Sequence, residues 1–184
     1  MASSSFLNEF LAAIMHPPSV LVFSMPVAVW SPPPVGVFKL NVDASLAVNA
    51  GLVGVGIVIR DCHGQVRVAS SLKLSASFSP LLAEAVAILH EVRLAFNSGL
   101  LTLLVESDAQ GDINVLKEGV ILRSDLGLVI SNIFHVCRSL NILCFSFIPR
   151  KGNMVADSLT KSALSSISDC YWFETYPQLM ELLV

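Results

Sequence analysis

The sequence predicts an α/β protein in which helices flank a five-stranded mixed sheet. Two observations support this prediction. Alternating polar and apolar residues mark strands near residue 40, and apolar residues at helical spacing follow Ser79 and Pro80. Strand and helix patterns then alternate through the rest of the chain in the overall order βββαβααβα. That order is typical of a layered fold with one sheet covered by helices.

The first three strands are predicted to form a meander. Val37–Asp43 alternates apolar with polar side chains, and Gly51–Arg60 is rich in β-branched residues. A turn from Asp61 to Gly64 then leads into a third strand over Gln65–Leu74. The connections are short, which is typical of neighbouring strands that pair directly.

A helix and a buried strand are predicted next. Ser79 supplies an N-cap, Pro80 suits the first helical turn, and Gly99 stands where the helix should end. Leu100–Val105 is a continuous apolar run that indicates a central strand.

Four further elements complete the predicted order. Two helices are expected over Ala109–Gly119 and Asp125–Leu140, followed by a strand over Asn141–Ile148 and a helix over Asn153–Leu164. We expect a short helix after Pro177 in the tail.

Three segments are predicted: a poorly ordered extension with a proline-rich linker (residues 1–34), a domain (35–165) and a tail (166–184). No Lys or Arg precedes Lys39, so the extension lacks the basic start of a signal peptide and the arginines of a transit peptide. Its apolar runs are interrupted by prolines and fall short of the about 20 residues that span a membrane. We therefore expect an intracellular protein, nuclear or cytoplasmic, with membrane association as the less favoured alternative.

Composition limits the functions that the chain can have. The 184 residues include 11 Lys and Arg and 14 Asp and Glu, for a net charge of −3, which argues against tight, nonspecific nucleic-acid binding through a basic surface. Bound cations can neutralise phosphate charge locally, so a metal-dependent nuclease stays compatible with this balance. The spacing of Cys62, Cys137, Cys144 and Cys170 predicts reduced thiols and no zinc site.

Four carboxylates lie on four different predicted elements. Asp43 ends the first strand, and Glu84 lies inside the first helix. Asp108 ends the fourth strand, and Asp157 lies on the last helix. A carboxylate on a hydrophobic element is costly unless it has a partner. If the elements converge, the four carboxylates form an oxygen-ligand cluster suited to Mg²⁺ or Mn²⁺.

Each of these acids also has a local explanation. Asp43 could accept backbone hydrogen bonds in a turn, and Glu84 could favour the first turn of its helix. Asp108 could cap the following helix, and Asp157 could pair with Lys161 one turn later. For a single residue the local explanation is at least as good, but all four together favour a metal site. Four other acids have no such context and are expected to be solvated: Asp61, Asp112, Glu118 and Asp125.

Several short motifs in fixed order carry a resemblance to a known family. They are Trp30 with Pro32 and Pro33, Gly36, Lys39–Asp43, Gly54–Asp61, Gly64, Ala83–Ala85, Glu106–Asp108 and Arg150–Asp157. Together they resemble the ribonuclease H-like domain found in many plant genomes, which is related to the ribonuclease H part of retroelement polyproteins. The resemblance covers residues 30–164 and implies the ribonuclease H-like fold.

The resemblance also implies a site and a reaction. The implied catalytic and metal-binding residues are Asp43, Glu84, Asp108 and Asp157. The family mechanism implies two Mg²⁺ (or Mn²⁺) ions around a scissile phosphate in an RNA strand that is paired with DNA. The implied partner is therefore an RNA–DNA hybrid, and no small-molecule cofactor is expected. Many plant relatives carry His at the last acidic position, whereas this chain keeps Asp157.

The chain departs from the family in three places. Ala44 follows the first acid where Gly is usual, and Phe147–Pro149 stands where many relatives carry a histidine. Residues 120–140 hold only two basic residues, where some relatives have a basic helical protrusion. The four intact acids favour a metal-dependent endonuclease that hydrolyses the RNA strand of RNA–DNA hybrids. The low basic charge and the missing histidine favour a second hypothesis, a catalytically weak or inactive retroelement-derived domain that binds nucleic acid or protein.

The predicted nucleic-acid contacts are Arg150, Lys151 and Asn153, just before the last helix. An exposed loop without a binding role explains this short segment equally well.

Overall fold

The computed structural model describes residues 29–118, 124–181 and 183. Its strands are β1 (Phe38–Ala47), β2 (Leu52–Arg60), β3 (Val66–Ser75), β4 (Thr102–Ser107), β5 (Asn141–Phe147) and β6 (Cys170–Phe173). Its helices are α1 (Pro80–Asn97), α2 (Gln110–Glu118), α3 (Asp125–Cys137) and α4 (Met154–Ser165). The predicted α/β class and the order of the first nine elements are confirmed. Residues 1–28 of the predicted extension lie outside the described part of the chain.

One mixed sheet organises the fold, with the strand order β5-β4-β1-β2-β3-β6. β1, β2 and β3 pair antiparallel as a meander, whereas β4 runs parallel to both β1 and β5. The crossover through α1 therefore places the end of β4 beside the middle of β1, with Val42 opposite Ser107.

The predicted number of five strands was wrong, because the tail adds a sixth. β6 pairs antiparallel with β3 at the edge of the sheet. Trp172 packs on a small apolar cluster that includes Val155, Leu159 and Met180, which supplies the hydrophobic contact that holds this short strand. The expected short helix after Pro177 is a single 3₁₀ turn, Gln178–Met180.

Apolar side chains pack on both faces of the sheet. The larger cluster lies between the sheet and the helices α1 and α3, and its fully buried members include Leu40, Ile57 and Ile88. The smaller cluster joins β2 and β3 to α4. No helix in the described ranges is long and apolar enough to cross a membrane. All four cysteines are free thiols, and only Cys137 is buried.

α4 approaches the sheet very closely because β2 carries glycine. A Cβ atom on Gly56 would lie 2.2 Å from the carbonyl oxygen of Ala156 and 2.5 Å from the backbone nitrogen of Thr160. A Cβ on Gly54 would lie 2.5 Å from the carbonyl oxygen of Thr160. Only glycine leaves this space, so these two residues fix the distance between the sheet and the helix that carries Asp157.

Candidate active site

Parallel pairing of β1 with β4 brings two predicted acids next to each other. Asp43 lies one residue beyond Val42 in β1, and Asp108 lies one residue beyond Ser107 in β4, the partner of Val42. Asp43 and Asp108 therefore lie side by side, at the same position along the two neighbouring strands. Glu84 reaches them from α1, and Asp157 lies in the first turn of α4.

Of the first three acids, Asp43 is buried and Glu84 and Asp108 are half-buried, and their carboxyl groups repel one another. Burial raises the pKa of Asp43 to about 7, and the negative charge of Asp108 adds to the rise. Burial also raises the pKa of Glu84 to about 9, with further contributions from Asp43 and Asp108. Because like charges shift pKa values only when they are near, these shifts indicate that the three groups lie in one electrostatic cluster.

Asp157 has a different environment from the other three acids. Arg150 Nη2 lies 2.7 Å from Asp157 Oδ1, and Lys161 Nζ lies 2.5 Å from Asp157 Oδ2. Burial acts to raise the pKa of Asp157, but the hydrogen bonds from Lys161 and Arg150 outweigh it and leave the pKa below its usual value. Asp157 also acts on the pKa of Asp43, so it belongs to the same electrostatic cluster.

Two side chains of the α4 segment tie it to the acidic strands. Asn153 Nδ2 donates to the carbonyl oxygen of Val42 over 2.8 Å and to Asp108 Oδ1 over 3.1 Å. Thr160 Oγ1 lies 2.9 Å from the carbonyl oxygen of Asp43 and 2.9 Å from that of Ala156. These contacts position Asp43, Asp108 and the start of α4 relative to one another.

Burial of Asn153 corrects its predicted role as a nucleic-acid contact. Its side chain is 1% exposed, and its amide group donates inside the protein. The other two predicted contacts are accessible: Lys151 is exposed, and the side chain of Arg150 is 70% exposed. Sequence reasoning missed the internal role of Asn153 because the amide type fits a surface loop equally well. It missed Thr160 altogether.

The expectation that Asp112 is solvated was wrong. Asp112 is fully buried, and neither of its carboxyl oxygens has a hydrogen-bond partner. Burial raises its pKa to about 7, and its charge contributes to the raised pKa of Glu84. The signal lay in the helical pattern, since Asp112 shares the inward face of α2 with Ile113 and Leu116.

A second polar network lies beside the acids on β1 and β4. Lys39 Nζ lies 2.9 Å from Glu106, and Asn41 Nδ2 donates to Glu106 Oε2 over 3.0 Å. Arg60 donates to Asn41 Oδ1 over 2.8 Å and stacks on the ring of Trp30, 3.6 Å from its centroid. These contacts join β1, β2, β4 and the segment before β1. They explain structurally why Trp30 and Lys39 occur among the family motifs.

The donor set fits a hard divalent cation. All four side chains offer carboxylate oxygens, and Glu84 Oε2 is buried without a hydrogen-bond partner. In the described part of the chain, no three His, Cys, Asp or Glu side chains are placed so that they could already hold one metal ion. Mutual repulsion favours a larger distance between the carboxylates in the absence of a metal ion, and Asp157 forms ion pairs with Arg150 and Lys161.

The comparisons with known proteins identify the family. The family described as reverse transcriptase-like matches residues 41–163. An Arabidopsis thaliana protein named "Putative ribonuclease H protein" is 25% identical over 155 residues, which cover 84% of this chain and 25% of that protein. The chain thus spans about a quarter of the length of this curated relative.

Solved structures show the same fold. Ribonuclease H1 from the archaeon Halobacterium salinarum superposes with a TM-score of 0.64 at 19% identity, covering 70% of this chain and 98% of that chain. LC11 ribonuclease H1, isolated from compost and solved in complex with an RNA/DNA hybrid, gives a TM-score of 0.62 at 22% identity, covering 70% and 96%. At this identity the likeness establishes the fold alone. The family match over two thirds of the chain goes further, and this chain belongs to the reverse transcriptase-like family of ribonuclease H-like domains.

Proposed function

We propose that this chain is a metal-dependent endonuclease that hydrolyses the RNA strand of RNA–DNA hybrids. The observation that carries the proposal is the cluster of Asp43, Glu84 and Asp108, whose charges repel one another in a partly buried site. Maintaining such a cluster costs stability in the absence of cations, so a structural role alone explains it poorly. The hybrid bound to LC11 ribonuclease H1 supports this choice of substrate.

The residues that would hold the cations are Asp43, Glu84, Asp108 and Asp157. Divalent ions bound there would activate a water molecule and neutralise charge at the scissile phosphate. Asn153 would keep Asp108 oriented toward the site by its hydrogen bond, and Thr160 would fix the backbone of Asp43.

The two exposed cationic side chains before α4 would meet the substrate. Arg150 and Lys151 lie on the 3₁₀ turn Arg150–Gly152, at the edge of the acidic cluster. The hydrogen bond from Arg150 to Asp157 and the negative charges of Asp157, Asp43 and Asp108 raise the pKa of the Arg150 guanidinium. A phosphate that approaches this edge would therefore meet positive charge next to the proposed cation site.

One observation favours a second function, binding without cleavage. Both carboxylate oxygens of Asp157 are engaged by Arg150 and Lys161, which leaves Asp157 a poorer ligand for cations. A domain that keeps this arrangement in the presence of divalent ions would bind nucleic acid but would not cut it.

A cleavage assay separates the two functions. The purified protein is incubated with end-labelled RNA–DNA hybrid and Mg²⁺ or Mn²⁺, beside the variant Asp108→Asn. The same RNA as a single strand and as duplex RNA serves as the specificity control. We expect cleavage of the RNA in the hybrid only, by the wild-type protein only. Cleavage by both proteins would assign the activity to a contaminant, and cleavage by neither would favour the binding function.

A further inference from the structure

The acidic cluster is divided into two electrostatically different halves. Within the described residues, Asp43, Glu84 and Asp108 form no ion pair with a Lys, Arg or His side chain, whereas Asp157 forms two. The side chain of Asp157 is 14% exposed, so its two partners neutralise it in a largely enclosed position. A cation that approaches the cluster therefore meets three carboxyl groups without ion-pair partners and one that is already paired.

Arg150 reaches beyond the single carboxylate that it contacts. Its pKa is raised first by its hydrogen bond to Asp157 and by the charge of Asp157, and then by the charges of Asp43 and Asp108. The guanidinium thus stands in the field of three site acids, as a bound cation would. Since its side chain is 70% exposed, it can leave this position without a rearrangement of the core.

We propose that Arg150, assisted by Lys161, is a resident cation that occupies the Asp157 side of the site and must be displaced before a divalent ion binds there. This inference rests on the proposed metal-dependent function. It divides cation binding into two unequal steps: one ion enters beside Asp43, Glu84 and Asp108, and a second enters beside Asp157 only when Arg150 moves away. Once displaced, the guanidinium of Arg150 becomes available to a substrate phosphate.

The predicted consequence is that removal of the resident cation strengthens metal binding. In Arg150→Gln the weaker of two Mn²⁺ sites should tighten by about two- to fivefold, the range that an ion pair with an exposed partner supports. Lys161→Gln should change the same site in the same direction. A purely structural ion pair would predict the opposite, because its loss would loosen α4 and weaken the site.

The experiment is a calorimetric titration of the full chain with Mn²⁺ at constant ionic strength, without nucleic acid. Arg93→Gln is the matched control, because it removes one exposed positive charge on α1 away from the acidic cluster. Asp157→Asn and the double variant Asp157→Asn/Arg150→Gln close a double-mutant cycle. Thermal unfolding of each variant checks that the fold is kept, and Lys161→Gln is a second, independent variant.

Tightening in Arg150→Gln but not in Arg93→Gln, together with loss of the effect in the Asp157→Asn background, supports the proposal. The proposal is overturned if both arginine variants bind Mn²⁺ more tightly to the same extent, or if the effect of Arg150→Gln persists in the Asp157→Asn background. It is also overturned if Arg150→Gln binds Mn²⁺ more weakly, or if the protein does not bind Mn²⁺ at all. Hybrid cleavage by the wild-type protein is measured separately. If Arg150→Gln tightens Mn²⁺ binding but hybrid is never cleaved, the inference stands and the proposed function fails. If hybrid is cleaved and Arg150→Gln changes nothing, the inference fails alone.

Discussion

The side-chain amide of Asn153 lies 2.8 Å from the carbonyl oxygen of Val42, so the start of α4 is bonded to the strand that carries Asp43. The same amide nitrogen reaches Asp108. A single buried side chain therefore connects three of the elements that carry the proposed catalytic residues.

Replacing Asn153 with Ala should destabilise the protein. The change removes one buried hydrogen bond and one partly buried hydrogen bond to a carboxylate, and should cost about 1–3 kcal/mol of the free energy of unfolding. Denaturant unfolding measures the loss. Asn114→Ala is the matched control, because Asn114 is exposed and its hydrogen bond to Gln110 lies on the surface of α2. Equal losses in the two variants would contradict the assigned role of Asn153.

Replacing Gly56 with Ala should push α4 away from the sheet. The new methyl group would lie 2.2 Å from the carbonyl oxygen of Ala156, and a backbone atom cannot move aside as a side chain can. Overpacking of this kind costs about 1–3 kcal/mol. Metal binding should weaken as well, since α4 carries Asp157. Thermal unfolding and Mn²⁺ titration check the two effects.

Gly111→Ala is the control for that substitution. Its Cβ would meet only the flexible end of Leu81, at 3.0 Å, and Gly111 lies in the helix α2, where Ala is preferred. We expect a small change in the free energy of unfolding. A loss as large as that of Gly56→Ala would show that the close approach of α4 is not the cause.

The sequence predicts the layout of the fold because hydrophobic periodicity reports local structure directly. The strands β1 and β4 could be recognised from alternation and from a continuous apolar run, and the acids on or directly after them are Asp43 and Asp108. The expectation that Asp43 ends the first strand was wrong, because β1 continues to Ala47 in its pairing with β2. The pairing of β6 with β3 could not be predicted in this way, because a four-residue strand is stabilised by the contacts of Trp172 with distant residues.

In the candidate site too, some features follow from the local sequence and others from tertiary packing. Residue type and order indicate the four acids, but not their partners. Whether Asp157 faces a cation site or the side chains of Arg150 and Lys161 depends on the geometry of the turn before α4. Burial of Asp112 depends on which face of the short helix α2 packs inward. Both are tertiary properties that a local pattern does not contain.

The stability of the metal-free protein should fall as pH rises. The pKa of Asp43 is raised from 3.8 to about 7 and that of Glu84 from 4.5 to about 9, so the folded state binds protons more tightly than the unfolded state. The free energy of unfolding therefore decreases from pH near 4 to pH near 9. Added Mg²⁺ should restore more stability near pH 8 than near pH 5, because protons compete for the carboxylates. Denaturant unfolding with EDTA or Mg²⁺ measures both effects.

The double variant Asp43→Asn/Glu84→Gln tests whether these two residues cause the pH dependence. It should be more stable than the wild type near pH 8 without metal, and its stability should depend less on pH. Some dependence should persist, since burial also raises the pKa values of Asp112 and Glu91. An unchanged slope would assign the whole effect to those other acids.

Asn at Asp43 or Asp108 should abolish hybrid cleavage while the fold is kept. The amide has the shape of the carboxyl group but lacks the charge that binds a divalent cation. In the metal-free protein both changes should be neutral or stabilising, because each removes one of several repelling charges. Cleavage rates and thermal unfolding are measured together, with Asp125→Asn as the control at an exposed acid outside the cluster. Cleavage at the wild-type rate by both site variants would remove these residues from the proposed mechanism.

Hybrid binding should depend on the two exposed cationic side chains before α4. The chain has few basic residues, so affinity should rest on a small number of phosphate contacts, and binding should be weak without divalent metal. Changing Arg150 and Lys151 together to Ala should weaken binding and reduce the slope of log affinity against log salt by about 1–2, close to one for each lost phosphate contact. Fluorescent hybrid, duplex DNA and duplex RNA are titrated at several salt concentrations.

Lys117→Ala is the matched control for this binding prediction, since Lys117 is also exposed but lies in the last turn of α2. We expect its affinity and salt slope to match those of the wild-type protein. Recognition of the RNA strand through its 2′-hydroxyl groups predicts tighter binding of hybrid than of duplex DNA. Equal, metal-independent affinity for all three duplexes would contradict a hybrid-specific nuclease and favour the domain that binds without cutting.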